Sequence, residues 1–336
     1  MELESLPDEV VASLEVRDAW RRRTAGRTPG LEFVISDLSR WHPFRPVTVA
    51  FLDGDTALHA AIAAATTQIT DACGLVLDFG LEDSTGSYRR WTEADRTHAA
   101  DIRVGFDISG YFSLVGTDSK DTSISGGRVG GMPHQRSLNL GGYAESKPQG
   151  WEGTTRHEFM HALAFHHAHQ NLRGPCAEEF RWEDDEGYEP TTDERGRYVA
   201  DAAGRLPGIY TYLAGPPNGW PRAKVDHNLR VATSDEVTVG AFDAASVMLY
   251  RFAPFFYKSD PSDCAPTGDG QDLSPGDERG LQLLYPRDEE AAAELRERAS
   301  TALSAIVRED SAESGLPGDS PYRQRLIERL SELAEA

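Results

Sequence analysis

The sequence predicts an α+β fold, and three observations predict it. Strand-forming and helix-forming segments alternate through the first half of the chain. A weakly periodic stretch rich in Gly, Pro, Asp and Glu fills residues 171–240. Segments rich in Ala, Leu, Glu and Arg, with helical spacing, close the chain. In order, residues 5–24 read as a helix: Ser5 and Asp8 can form a capping box, and Val10, Val11, Leu14 and Ala19 make an apolar stripe. Arg21, Arg22 and Arg23 fall in its last turn, where positive charge suits the helix dipole. Residues 24–30 read as a linker. Residues 47–52 are rich in strand formers, and residues 56–73 read as one alanine-rich helix. Residues 75–79 and 102–106 read as further strands, and 105–131 as a glycine-rich loop region. A helix is expected from about Thr154 to Ala164, and a short one over 275–285, ended by Pro286. Residues 288–308 and 321–334 read as two terminal helices, and no internal repeat stands out. Whether the terminal helices pack together, cover the domain or form dimers is left open by the sequence.

At 336 residues the chain can bury a substantial core. Its net charge of −21 repels phosphate backbones, which argues against nucleic acid and anionic membranes as partners. No stretch approaches the length of a membrane span, and the acidic start has no apolar run of signal-peptide length. The expectation is a cytoplasmic protein, or one exported without a recognisable signal. The three cysteines, Cys73, Cys176 and Cys264, are an odd number, which argues against a full disulfide framework.

The chemistry is carried by His157-Glu-Phe-Met-His161, followed by His167. On a helix, His157 and His161 share one face and can grip one metal ion. Glu158 can reach a water bound to that metal. His167 can add a third imidazole if the helix stops after Ala164 and the chain turns back. Three imidazoles with an open position make a catalytic rather than a structural zinc site. No Ser-His-Asp arrangement stands out, and Gly126–Gly131 lacks the Lys-Ser/Thr of a phosphate-binding loop.

The spacing His157, Glu158, His161, His167, with Met248 in Ser246-Val-Met-Leu-Tyr250 downstream, resembles the metzincin signature. Ser-x-Met-x-Tyr is similar to the Met-turn of its astacin and serralysin branches. Residues 100–106, 110–116, 136–141, 166–170, 215–220, 226–228 and 273–277, with Leu284-Tyr-Pro286, are similar to astacin-like enzymes. The resemblance therefore covers residues 41–286. It implies a zincin-like fold: a twisted mixed five-stranded sheet, an active-site helix and an irregular lower subdomain, with extra terminal helices. It also implies domains at 1–40, 41–286 (split at 167/168) and 287–336. Cys176 and Cys264 both fall in the implied lower subdomain, where they pair or remain buried thiols. Two departures stand out: Ala164 replaces the usual glycine after the helix, and Ala168 replaces the glutamate after the third histidine.

The resemblance further implies a zinc endopeptidase acting on a peptide or protein. His157, His161 and His167 would bind Zn2+, with Tyr250 as an additional ligand, and Met248 would form an apolar floor. Glu158 would act as general base. The substrate would run antiparallel to an edge strand carrying Gln135, Ser137, Leu138, Asn139, Leu140 and Gly141. Spacing selects His167 over the flanking His166 and His169; His169 is expected behind the ligands or at the surface, His134 and His227 as structural or rim residues, and Asp37 is a candidate for zinc binding from the N-terminal segment. Two other readings remain: a latent or weakened metzincin that binds peptides or proteins, and a zinc amidase acting on a modified peptide.

Overall fold

The computed structural model describes residues 4–25, 39–230, 241–309 and 321–335. The expected linker beyond Ala25, and Asp37, lie outside the described residues. Contacts divide the chain into two units. Among described residues, the larger holds 6–165 and 271–335, and the smaller holds 4–5, 166–230 and 241–270.

The larger unit is α+β and is built on five strands: β1 (Val47–Phe51), β2 (Leu77–Asp78), β3 (Ile102–Gly105), β4 (Tyr111–Ser113) and β5 (Leu138–Leu140). Their order is β2-β1-β3-β5-β4, so the sheet is mixed. β1 runs parallel to β2 and β3, β3 runs parallel to β5, and β4 runs antiparallel to β5. The register sets Val49 against Ile102, Val104 against Leu138 and Phe112 against Asn139. Every residue of β3 is buried, as expected for an interior parallel strand. One of them is Arg103, which donates to the carbonyls of Gln135 (2.6 Å), Ala100 (3.3 Å) and Gly130 (3.1 Å). A buried guanidinium is tolerated because its donors are satisfied, and here it ties the glycine-rich loop to the sheet.

Helix α1 (Asp8–Ala25) begins after Pro7, whose carbonyl accepts from Val10 and Val11. That start is later than the capping box at Ser5 would place it. The apolar stripe is as expected: Val10 and Leu14 pack on Phe112, Leu114, Ile124 and Val129. Residues 56–73 are not one helix. They form α2 (Thr56–Ala65), capped by Asp55 accepting from Leu58 at 2.7 Å, and α3 (Thr67–Ala72). At the break, the Thr66 hydroxyl donates to the Ala63 carbonyl at 2.9 Å. Such side-chain bonds compete with the helix ladder, while the continuous alanine pattern conceals the break. Helix α4 (Trp151–Ala162) carries the histidine motif. Helix α5 (Pro275–Leu284) starts with a capping box between Ser274 and Asp277.

The terminal helices α6 (Glu289–Glu309) and α7 (Pro321–Ala334) pack together. Ala299, Ala302 and Ile306 meet Leu326, Leu330 and Leu333, with Trp20 of α1 packed against the cluster. The two ends of the chain therefore share one small core.

The smaller unit has little regular structure. Its aromatic core includes Phe180, Trp182, Tyr212, Trp220, Phe252, Phe256 and Tyr257, together with a Cys176–Cys264 disulfide. Of the two states left open for these cysteines, the paired one is present, and Cys73 is a buried thiol. One turn design occurs twice, a local repeat that the sequence reading did not find. Asp193 accepts from the N–H groups of Arg195 and Arg197, and its other oxygen accepts from the Arg197 guanidinium. Asp201 does the same with Ala203 and Arg205. In both turns the residue before the arginine is a glycine with positive φ: 74° at Gly196 and 78° at Gly204. That conformation is cheap only without a Cβ.

Candidate metal centre

Helix α4 is fixed on its inner side by Phe159, Met160, Ala162 and Leu163, all buried. Arg156 adds polar ties, donating to the Ala65 carbonyl at 3.0 Å and the Gln271 carbonyl at 2.5 Å. The His157 and His161 rings lie 4.9 Å apart, as the i, i+4 spacing requires. Nδ1 of His161 lies 2.7 Å from the Phe165 carbonyl. A carbonyl can only accept, so Nδ1 carries the proton and Nε2 is the ring atom able to act as a metal ligand. Glu158 is 1% exposed. Burial above all, then the neighbouring Tyr111 and Glu158, hold the Tyr143 phenol above the usual tyrosine range.

The helix ends at Ala162, with Leu163 as its C-cap. Ala164 has φ 73°, and among the described residues it is the one non-glycine with positive φ. Phe165 donates to Met160 at 3.0 Å and Ala164 to His161 at 2.9 Å. This pair of bonds is a Schellman motif with alanine at the left-handed position.

In the smaller unit, Nε2 of His167 lies 3.2 Å from Oε2 of Glu4, and the Tyr250 hydroxyl donates to the same oxygen at 3.0 Å. The His167 and Tyr250 rings lie 4.2 Å apart. His169, fully buried, stacks on His167 at 5.0 Å and donates from Nε2 to the Asn228 carbonyl at 3.0 Å. Met248 is 2% exposed; its carbonyl accepts from Ala168 at 2.9 Å, and its N–H donates to the Ser246 hydroxyl at 3.0 Å. Glu4, His157, His161 and His167 each offer one ligand atom, and the four atoms lie within 4.8 Å of one another. A set of imidazoles and a carboxylate at that spacing fits a zinc ion. Glu4 is the residue that sequence reasoning missed, because an acidic residue near the start of the chain belongs to no motif.

The expected substrate strand needs correction. Leu138, Asn139 and Leu140 form β5, which lies between β3 and β4 and so is not an edge. Their neighbours are also committed to the chain itself. The Gln135 side chain donates to Ser125 and Gly127, and the Ser137 hydroxyl accepts from the Arg103 N–H. The Asn139 amide donates to the carbonyls of Ile108 and Gly110, and the Gly141 N–H donates to Gly110. The edge of the sheet on this side is β4. Three consecutive apolar or amide residues read alike in an inner strand and in an edge strand, so the pattern could not separate the two.

No protein-family model matches the chain, and no curated protein matches it in sequence. Solved structures do match. A structure of myroilysin is 21% identical, with TM-score 0.52, covering 74% of this chain and 97% of that one. A crystal structure of myroilysin gives 19% identity and TM-score 0.43, covering 74% and 86%. A hatching enzyme zinc-protease from Oryzias latipes, high choriolytic enzyme 1, gives 14% identity and TM-score 0.38, covering 74% and 94%. The first of these shows that the fold is shared. The α+β fold with a mixed five-stranded sheet expected from the astacin-like resemblance is the fold observed.

Proposed function

We propose that this chain is a zinc-dependent endopeptidase of astacin-like, metzincin type, acting on a peptide or protein. The observation that carries the reading is the convergence of ligand atoms from His157, His161 and His167, with Glu158 buried on the same helix. These three histidines would hold the ion, and zinc bound there supplies Lewis acidity toward water and a peptide carbonyl. Glu158 takes the proton of the attacking water and delivers it to the leaving amine. The Tyr250 phenol is a hydrogen-bond donor for the oxyanion and a further metal-directed group. Met248 packs as the apolar support of the Met-turn. β4, the outermost strand on this side of the sheet and antiparallel to β5, is the strand against which an extended substrate would pair. Glu158→Gln is expected to lower cleavage of a peptide library at least about 100-fold while zinc content stays near one ion per chain. Full activity in that variant would sink the mechanism.

The latent form of the same reading has its own support. The Glu4 carboxylate takes up both the Tyr250 hydroxyl and Nε2 of His167, groups the reaction requires. Glu4→Gln is then expected to raise the cleavage rate at saturating zinc, and an unchanged rate would remove this support. Among the described residues no helix is long and apolar enough to cross a membrane.

A further inference from the structure

We infer that the C-terminal helical pair is a working part of the metal centre: α7 positions the end of α4 through a relay of hydrogen bonds that runs through Tyr285. The inference rests on the reading of His157, His161 and His167 as metal ligands. The last carbonyls of any helix lack partners within it. In α4 the Schellman bonds satisfy Met160 and His161. The next two carbonyls are met from elsewhere. The indole N–H of Trp41 donates to Ala162 at 2.7 Å, and the Tyr285 hydroxyl donates to Leu163 at 2.9 Å. Tyr285 is fully buried, and its oxygen also accepts from the Trp41 backbone N–H at 3.2 Å.

That N–H belongs to the peptide unit joining Arg40 and Trp41. The carbonyl of the same unit accepts from the Arg329 guanidinium, which is buried on α7 and also bonds Glu332 at 2.9 Å. One peptide group is thus gripped at both ends, by the tail on one side and by Tyr285 on the other. A bond on its carbonyl polarises its N–H, so the links strengthen one another. The relay therefore passes from Arg329 through the Arg40–Trp41 peptide and the Tyr285 hydroxyl to the Leu163 carbonyl.

Leu163 is the C-cap of the helix, and Ala164 beyond it holds the left-handed turn. Phe165 follows, and its carbonyl fixes Nδ1 of His161. A loosened Leu163 carbonyl frees this turn to relax, and with it the ring angle of a metal ligand. Tyr285 and Arg329 act through other groups, so they are positioning residues.

The test uses the full chain and four variants: Tyr285→Phe, Arg329→Met, Arg329→Lys and His161→Ala. Zinc affinity is read by chelator competition, the ligand field by the visible spectrum of the cobalt-substituted protein, and stability by Tm of the metal-free protein. Tyr285→Phe and Arg329→Met are expected to weaken zinc binding about tenfold and to change the cobalt spectrum, while Arg329→Lys restores most of both. Tyr285→Phe keeps the ring and its packing, so it remains decisive if Arg329→Met fails to fold. Zinc binding that His161→Ala abolishes, with Tyr285→Phe and Arg329→Met matching wild type in affinity and spectrum, overturns this inference alone. Wild-type protein that binds no zinc overturns the metal-centre reading and this inference with it.

Discussion

Ala164 sits in a conformation that costs an L-residue about 1–2 kcal/mol, and it does so between His161 and His167, two of the candidate metal ligands. Glycine would remove that cost but would give the unfolded chain more freedom, worth about 0.4–1 kcal/mol in the other direction. Ala164→Gly is therefore expected to stabilise the fold by up to about 1.6 kcal/mol, seen as a higher urea midpoint at unchanged m-value. A lower midpoint would mean that the Ala164 methyl makes contacts that outweigh the strain. The need for a turn here was legible in the spacing of His161 and His167. The bonds of Phe165 and Ala164 back to Met160 and His161 were not, because backbone pairing leaves no mark on residue type. Glu4 was hidden for a related reason: its contacts to His167 and Tyr250 span 163 and 246 residues, and no local pattern encodes them.

At the scale of elements, β1, β3, α4, α5 and the two terminal helices lie close to where periodicity and capping place them. What failed was context. Thr66 breaks an alanine-rich helix through one hydroxyl bond, and β4 pairs outside β5 although it precedes it in the chain. Pairing order depends on long-range contacts, and strand composition does not record it. The Cys176–Cys264 bond closes 88 residues of an element-poor unit, where chain entropy is large and regular hydrogen bonding is scarce. Replacing both cysteines by serine is expected to cost about 3–5 kcal/mol, measured by denaturant unfolding under oxidising conditions. A loss below about 1 kcal/mol would place the stability of this unit in its aromatic core.

For the whole molecule, buried histidines contribute to the response to acid. Burial, and then Arg45, Arg329, Arg296 and Arg40, push His42 down to about 4, and burial also lowers His59 and His98. Between pH 4 and the usual value near 6.5, the unfolded chain binds a proton at His42 and the folded chain does not. The stabilisation is therefore complete above about pH 6.5 and is lost as the pH falls toward 4. The urea midpoint should drop between pH 7 and pH 5, and less so in His42→Gln. Equal drops in the two proteins would assign the effect to other groups. The shared core of Trp20 with Ile306, Leu326, Leu330 and Leu333 has a consequence for how the chain is made. The first helix leaves the ribosome long before its partners exist, so Trp20 has no place to settle until the segment through Leu333 is translated. The smaller unit, read out mostly within residues 166–270, can finish earlier. Synthesis therefore completes the disulfide-linked unit first. The larger one closes only once residues 321–334 have emerged, and with it the carbonyl ties at the end of the histidine helix.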